Sequence, residues 1–160
     1  MGIKKYIKKK IMKKLLIVLL LSIGVKTNAL TVEQVWSEIQ CNELYHPEIV
    51  LAQSIKEAGW EYTSWNVFKR NNLFGIKGGK KTESNKYGYK IYSHWTESVL
   101  AYKEKIQEGR YIEGEDYYQF LIRIRYFEAD PNVYISDLKW IINRLKKLNI
   151  ICLKKEIQLN

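Results

Sequence analysis

Leu51-Ala52-Gln53-Ser54-Ile55-Lys56-Glu57-Ala58-Gly59-Trp60, followed by Asn71-Asn72-Leu73-Phe74-Gly75-Ile76-Lys77, decides how this chain is read. The first segment is an apolar helix that stops on a glycine, and it sets one carboxylate, Glu57, at that end beside Trp60, Tyr62 and Trp65. A carboxyl group held among aromatic rings loses hydration, so its ionised form is disfavoured. Its pKa then rises toward the value a proton donor needs near neutrality. Val50, Gln53, Ser54 and Glu57 recur at three- and four-residue spacing and share one side of the helix, with Ala52 and Ile55 facing elsewhere. Glu57 is expected to project from the helix end into the space beneath Gln53.

Working outward, Thr31 and Gln34 fit a capping box before a helix over 31–44, in which Val32, Val35, Trp36 and Ile39 keep helical spacing. His46-Pro47 interrupts it, and Pro47 suits the first position of the helix over 47–58. A short helix over 64–69 follows. Residues 78–85 carry glycine and lysine with no apolar pattern and read as a loop or hairpin tip. Tyr87, Tyr89, Ile91 and Tyr92 suggest a strand broken by Gly88. Helices are expected over 96–107 with Thr96 as N-cap, over 116–127, and over 132–148 after Asp130-Pro131. The layout is α+β and mainly helical, one domain over 30–160 with a small β-hairpin and no internal repeat.

Residues 1–29 read as a secretory signal peptide: a purely basic start, an apolar run over 15–23, and small residues at 27–29. Met12 is an alternative start, because Met12-Lys13-Lys14 and the leucine run already form a complete leader. The run is too short for a stable bilayer anchor. With eight lysines and no acid in that leader, the chain's 27 basic against 17 acidic side chains become 19 against 17 afterwards. The basic balance therefore belongs mostly to the targeting segment, and a nucleic-acid partner is not expected. The chain is read as exported, either periplasmic or in the cell wall and exterior, and as a monomer. Cys41 and Cys152 are the only cysteines; a bridge between them and two separate thiols are both open. His46 and His94 are too few and scattered for a metal site, so neither metal nor cofactor is expected.

The two opening segments resemble the signature of bacterial peptidoglycan glucosaminidases, the endo-β-N-acetylglucosaminidase family of lysozyme-like fold that includes flagellar and cell-division autolysins. That pattern runs A-Q-x-x-x-E-S-G-W, then N-N-L-F-G-I-K, then Y-A-T-D-P before a final helix. Ala58 stands where the family has Ser, and the third block is altered to Tyr126-Phe127-Glu128-Ala129-Asp130-Pro131. The likeness covers about 47–142. It implies a lysozyme-like fold with a β-hairpin lobe beside the cleft. It also implies cleavage of the β-1,4 glycosidic bond after N-acetylglucosamine in peptidoglycan glycan strands.

Glycosidic cleavage needs a proton for the leaving oxygen and a group that attacks or stabilises the positive sugar carbon. Glu57 matches the family's acid. An arbitrary glutamate ending a helix is usually solvated; beside Gly59, Trp60 and the 71–77 loop the acid role is preferred. Glu83 is the acid in the loop where the family places a second carboxylate, although an exposed acid among Lys80, Lys81 and Lys86 explains it equally well. The substrate's own acetamido oxygen is the alternative. Tyr126 corresponds to the family tyrosine, displaced by one residue because Phe127 holds the expected place; Tyr134 shows a similar offset after the turn. Gln53, Trp60, Asn71, Asn72, Phe74 and Lys77 are expected to line the cleft, with Leu73 and Ile76 in the core. A lytic transglycosylase and a non-catalytic peptidoglycan-binding scaffold are the rival readings.

Overall fold

The computed structural model describes residues 29–83 and 85–151; most of the segment read as a signal peptide, residues 1–28, and Cys152 lie outside the described residues. The order is α1 (Val32–Cys41), α2 (Pro47–Ala58), α3 (Trp65–Arg70), α4 (Trp95–Tyr102) running into a π-helical stretch (Lys103–Gln107), α5 (Tyr117–Arg123) and α6 (Pro131–Lys147). α2 lies at the centre, packed on α6, α1 and α3. Its residues 49–55 are all buried, so Ala52 and Ile55, on other sides of the helix from Glu57, also lie in the core. A helix enclosed on every side loses the one-sided pattern of a surface helix. Within it Leu51, and around it Val35, Ile39, Leu73, Phe120, Leu121, Leu138 and Leu145, are fully buried. Each such side chain contributes about 1.5–3 kcal/mol of transfer free energy.

The helix starts follow their capping chemistry. Thr31 and Gln34 form the reciprocal capping box. Pro47 sits in the first turn of α2. Asp116 caps α5, and Asp130 caps α6 by accepting from the N–H groups of Asn132 and Val133. α4 begins one residue earlier than expected, with His94 as cap, because its Nδ1 accepts from the Thr96 N–H at 3.4 Å.

Helix ends depart further from expectation. α1 stops at Cys41 and α5 at Arg123, several residues short of the positions that hydrophobic spacing suggests. In each case a non-glycine residue adopts a left-handed backbone, Glu43 at φ 52° and Arg125 at φ 51°. The N–H of that residue and of the next then bond back: Glu43 to Gln40 and Leu44 to Ile39, Arg125 to Ile122 and Tyr126 to Leu121. That is the Schellman arrangement, usually carried by glycine. The stop after α5 is what turns Tyr126 inward.

The β-hairpin is corrected in kind. Among the described residues there is no continuous strand, only the antiparallel bridges Lys77–Tyr89 and Thr82–Asn85. Side chains supplement the few backbone bonds between the arms, those of Gly78 and Gly79 to Gly88 and of Lys90 to Ile76. Asn72 donates to the carbonyls of Ile76 and Lys90 and accepts from the Ile76 N–H. Asn85 donates to the carbonyls of Lys80 and Tyr89 and accepts from the Tyr89 N–H. Asparagine, with both donor and acceptor on one amide, mimics a backbone unit and competes with a regular ladder.

Because α6 is the largest helix on α2, its cap bears on the whole core. Asp130→Ala is expected to lower the unfolding free energy by about 1 kcal/mol, read from urea denaturation midpoints.

Candidate active site

Glu57 occupies the last turn of α2, and Gly59, at φ 83°, ends the helix directly after it. Two other elements close on its carboxyl. From α6, the buried Tyr134 donates from its hydroxyl to Glu57 Oε1 at 3.3 Å. From the 71–77 loop, Gly75 at φ 63° comes so near that a Cβ there would sit 3.6 Å from Glu57 Oε2. A positive φ admits glycine without strain, so this residue lets the loop pass tightly beneath the acid.

Glu57 opens onto a cavity of about 460 Å³ whose walls include Ser64, Trp65, Asn66, Arg70 and, from the hairpin side, Glu83 and Tyr89. The two carboxylates singled out in the sequence thus line one cavity. Burial pushes the Glu57 pKa up; the Tyr134 hydrogen bond and the Lys56 charge oppose this and do not overcome it. By accessible area Glu57 counts as exposed. The carboxyl is open to the cleft on one side, while Tyr134 of α6 and the turn at Gly75 close on it from the others. Charge state follows the solvation of the whole surrounding volume, and there burial favours the neutral acid.

A buried polar chain supports the site from behind. Gln53 lies below Glu57, fully buried, and its Oε1 accepts from Tyr102 at 2.6 Å. Its Nε2 makes no well-formed hydrogen bond, yet it lies close enough to the Tyr134 hydroxyl to favour that phenol's ionised form, an effect smaller than that of burial. Tyr102 meets Tyr117 at 3.1 Å, and Gln107 Nε2 donates to the Tyr117 hydroxyl at 2.6 Å and to the Tyr45 carbonyl. Burial holds the Tyr117 phenol up at about 12.

Other residues expected at the cleft have different surroundings. Tyr126 donates to the Phe74 carbonyl at 3.2 Å, and its ring lies 5.9 Å from Tyr102 and 6.4 Å from Tyr134. It stands near Glu57, but the phenol bonded to the acid is Tyr134. Phe74 is buried with its ring 4.5 Å from Tyr102, so it is a core aromatic rather than a sugar platform. Leu73 and Ile76 are buried as expected. Asn72 is fully engaged with backbone, and Asn71 caps α3 and donates to the carbonyls of Tyr92 and Ser93. Lys77 is exposed and paired with Glu128 at 2.9 Å. Trp60 lies under the Arg144 guanidinium at 4.7 Å, and Tyr62 is buried against Ser54. Of the aromatic trio expected around Glu57, Trp65 lines the cavity. Cys41 is exposed, and the cysteine considered as its partner lies outside the described residues. No described helix is long and apolar enough to cross a membrane.

Helices packed around one central helix, with the carboxyls of Glu57 and Glu83 lining a single cavity, make up this mainly helical domain. The family model Glucosaminidase, described as mannosyl-glycoprotein endo-β-N-acetylglucosaminidase, matches residues 33–147, from the first turn of α1 to the last residue of α6. The chain belongs to this glucosaminidase family, a family of glycoside hydrolases. No curated protein and no solved structure gives a significant match to it.

The raised Glu57 pKa has a stability consequence. The folded state holds this proton more tightly than the unfolded state, so stability is lost as pH rises from the ordinary glutamate value through the raised one. Glu57→Gln removes that cost. Its melting temperature should exceed the native value at pH 7 and match it near pH 4, measured by differential scanning calorimetry.

Proposed function

We propose that this protein is an exported peptidoglycan hydrolase of lysozyme-like fold that cuts the glycan strand at the β-1,4 linkage after N-acetylglucosamine. The observation that carries the proposal is the desolvated Glu57 carboxyl on the wall of a cleft. Tyr134 occupies Oε1 as a donor, which leaves Oε2, on the Gly75 side, to carry the proton that passes to the leaving glycosidic oxygen. Glu83, or the acetamido oxygen of the substrate itself, supplies the second function at the sugar carbon. Tyr126 takes no direct part in this scheme; its bond to the Phe74 carbonyl fixes the loop against which Glu57 rests. Trp65, more than half exposed at 62%, offers its face to a pyranose ring, and the unpartnered Ser64 hydroxyl a polar contact.

Purified sacculi treated with native protein should release fragments with reducing-end N-acetylglucosamine, identified by mass spectrometry. Glu57→Gln should lower the rate by about 10²–10⁴-fold. Anhydro-muramic ends would assign a transglycosylase instead. Equal turbidity loss from native and variant, or none from either, would remove the hydrolase claim and leave the scaffold reading. Glycan release from a mannosyl-glycoprotein with no action on sacculi would move the substrate to that class. Glu83→Gln separates the two sources of the second function, since a comparable rate loss assigns it to Glu83 and a small one to the acetamido group.

The acid works protonated, so activity should fall as pH rises through the Glu57 pKa. Tyr134→Phe deletes a hydrogen bond that lowers this pKa, and the alkaline limb of the kcat/KM profile should therefore move to higher pH.

A further inference from the structure

The groove continues past Glu57. Trp65, Arg70 and Tyr89 wall the catalytic cavity on one side and a second cavity of about 520 Å³, between α3 and the hairpin, on the other. The charge of this second cavity is one-sided: Lys69, Arg70, Lys80 and Lys90 line it, and no Asp or Glu does among the described residues. Glu83, the nearest hairpin acid, lines the catalytic cavity instead. Aromatic faces hold part of this charge in place. The Lys69 ammonium sits 5.4 Å over Trp65, and the Arg70 guanidinium 5.7 Å over Tyr89. Residues 30–160 are almost balanced in charge, so four converging cations form a local feature and not a reflection of a basic surface.

A neutral sugar polymer has nothing to answer such a cluster. An anionic group does, and like charges gathered in a concave wall raise the local concentration of an oppositely charged ligand. We infer that the basic cavity receives a carboxylate of the peptide stem attached to an N-acetylmuramic acid, at the same time as the sugars lie across Trp65 toward Glu57. This rests on the glycan-strand reading above and deepens it, because it makes the enzyme select strands that still carry free-carboxylate stems. Continuity favours the stem over a separate wall polymer, since a group covalently tied to the strand must leave the catalytic cleft by a path such as this one. Each exposed charge pair contributes little alone, so the selectivity is expected to be moderate and to weaken with salt.

The test uses the full chain carrying Glu57→Gln, so that ligand is not consumed, and isothermal titration with two glycan fragments that differ only in whether the stem carboxylates are free or amidated. The free form should bind about tenfold tighter. Neutralising the cavity with Lys69→Gln, Lys80→Gln and Lys90→Gln together should abolish that difference while the melting temperature stays unchanged. Equal affinity for the two fragments overturns the inference, and so does a difference that survives in the triple variant. Tight binding of a polyglycerol phosphate through the same lysines, without discrimination between the fragments, also overturns it in favour of a wall-polymer phosphate. Failure to bind either fragment sinks the glycan-strand reading itself, a result distinct from equal binding of both.

Discussion

The site depends on a contest at the carboxyl of Glu57, where burial favours the neutral acid and Tyr134 and Lys56 favour the anion. Burial wins because three elements converge there: the end of α2, the inner face of α6 and the turn at Gly75. The opposing terms still matter chemically. A carboxyl with no hydrogen bond or neighbouring charge would be pushed too high to release its proton, and one in open water would already have lost it. Helix packing thus sets the protonation of a single group, and the proposed reaction inherits its pH dependence from that packing.

Polar side chains reinforce a small number of backbone bonds in this arrangement, where no continuous sheet is present among the described residues. Asn72 and Asn85 each bond three backbone groups and hold the hairpin where a ladder of strands would otherwise be required. The chain of Gln53, Tyr102, Tyr117 and Gln107 carries paired polar groups through the core to Tyr45. Buried networks of this kind favour one packing over its near alternatives, because any shift leaves a donor or acceptor unmatched. The segment with Glu83 is closed by the Thr82–Asn85 bridge and by the bonds of Gly78 and Gly79 to the Gly88 carbonyl.

Much of this was legible in advance. Pro47 and Gly59 delimit α2 correctly, and Thr31, Asp116 and Asp130 announce their helices, because caps and breakers act within a few residues. Glu57 is singled out by its glycine and aromatic neighbours and by the resemblance, and it lines the cavity. The ends of α1 and α5 were not legible, since Glu43 and Arg125 adopt a backbone that composition assigns to glycine. Residue type suggests Asn71 and Asn72 as sugar ligands and Phe74 as a cleft face, whereas the amides serve the backbone and Phe74 is buried on Tyr102. Only tertiary packing decides those alternatives. Tyr134 was visible as an offset tyrosine, but its contact with Glu57 spans 77 positions along the chain, a distance over which spacing carries no information. The basic cavity escaped for the same reason, as its lysines come from separate elements within a nearly neutral domain.

Along the groove, the Glu57 carboxyl with its raised pKa stands at one end, where Arg70 and Lys86 also line the wall, and four cations, Arg70 again among them, line the other. The first of these is the claim on which the rest stands. Its most direct test is a carbon-13 NMR titration of the Glu57 side-chain carboxyl in the native protein, assigned by comparison with Glu57→Gln. The account predicts a midpoint above the ordinary glutamate value of 4.5. A midpoint at or below it would contradict the account.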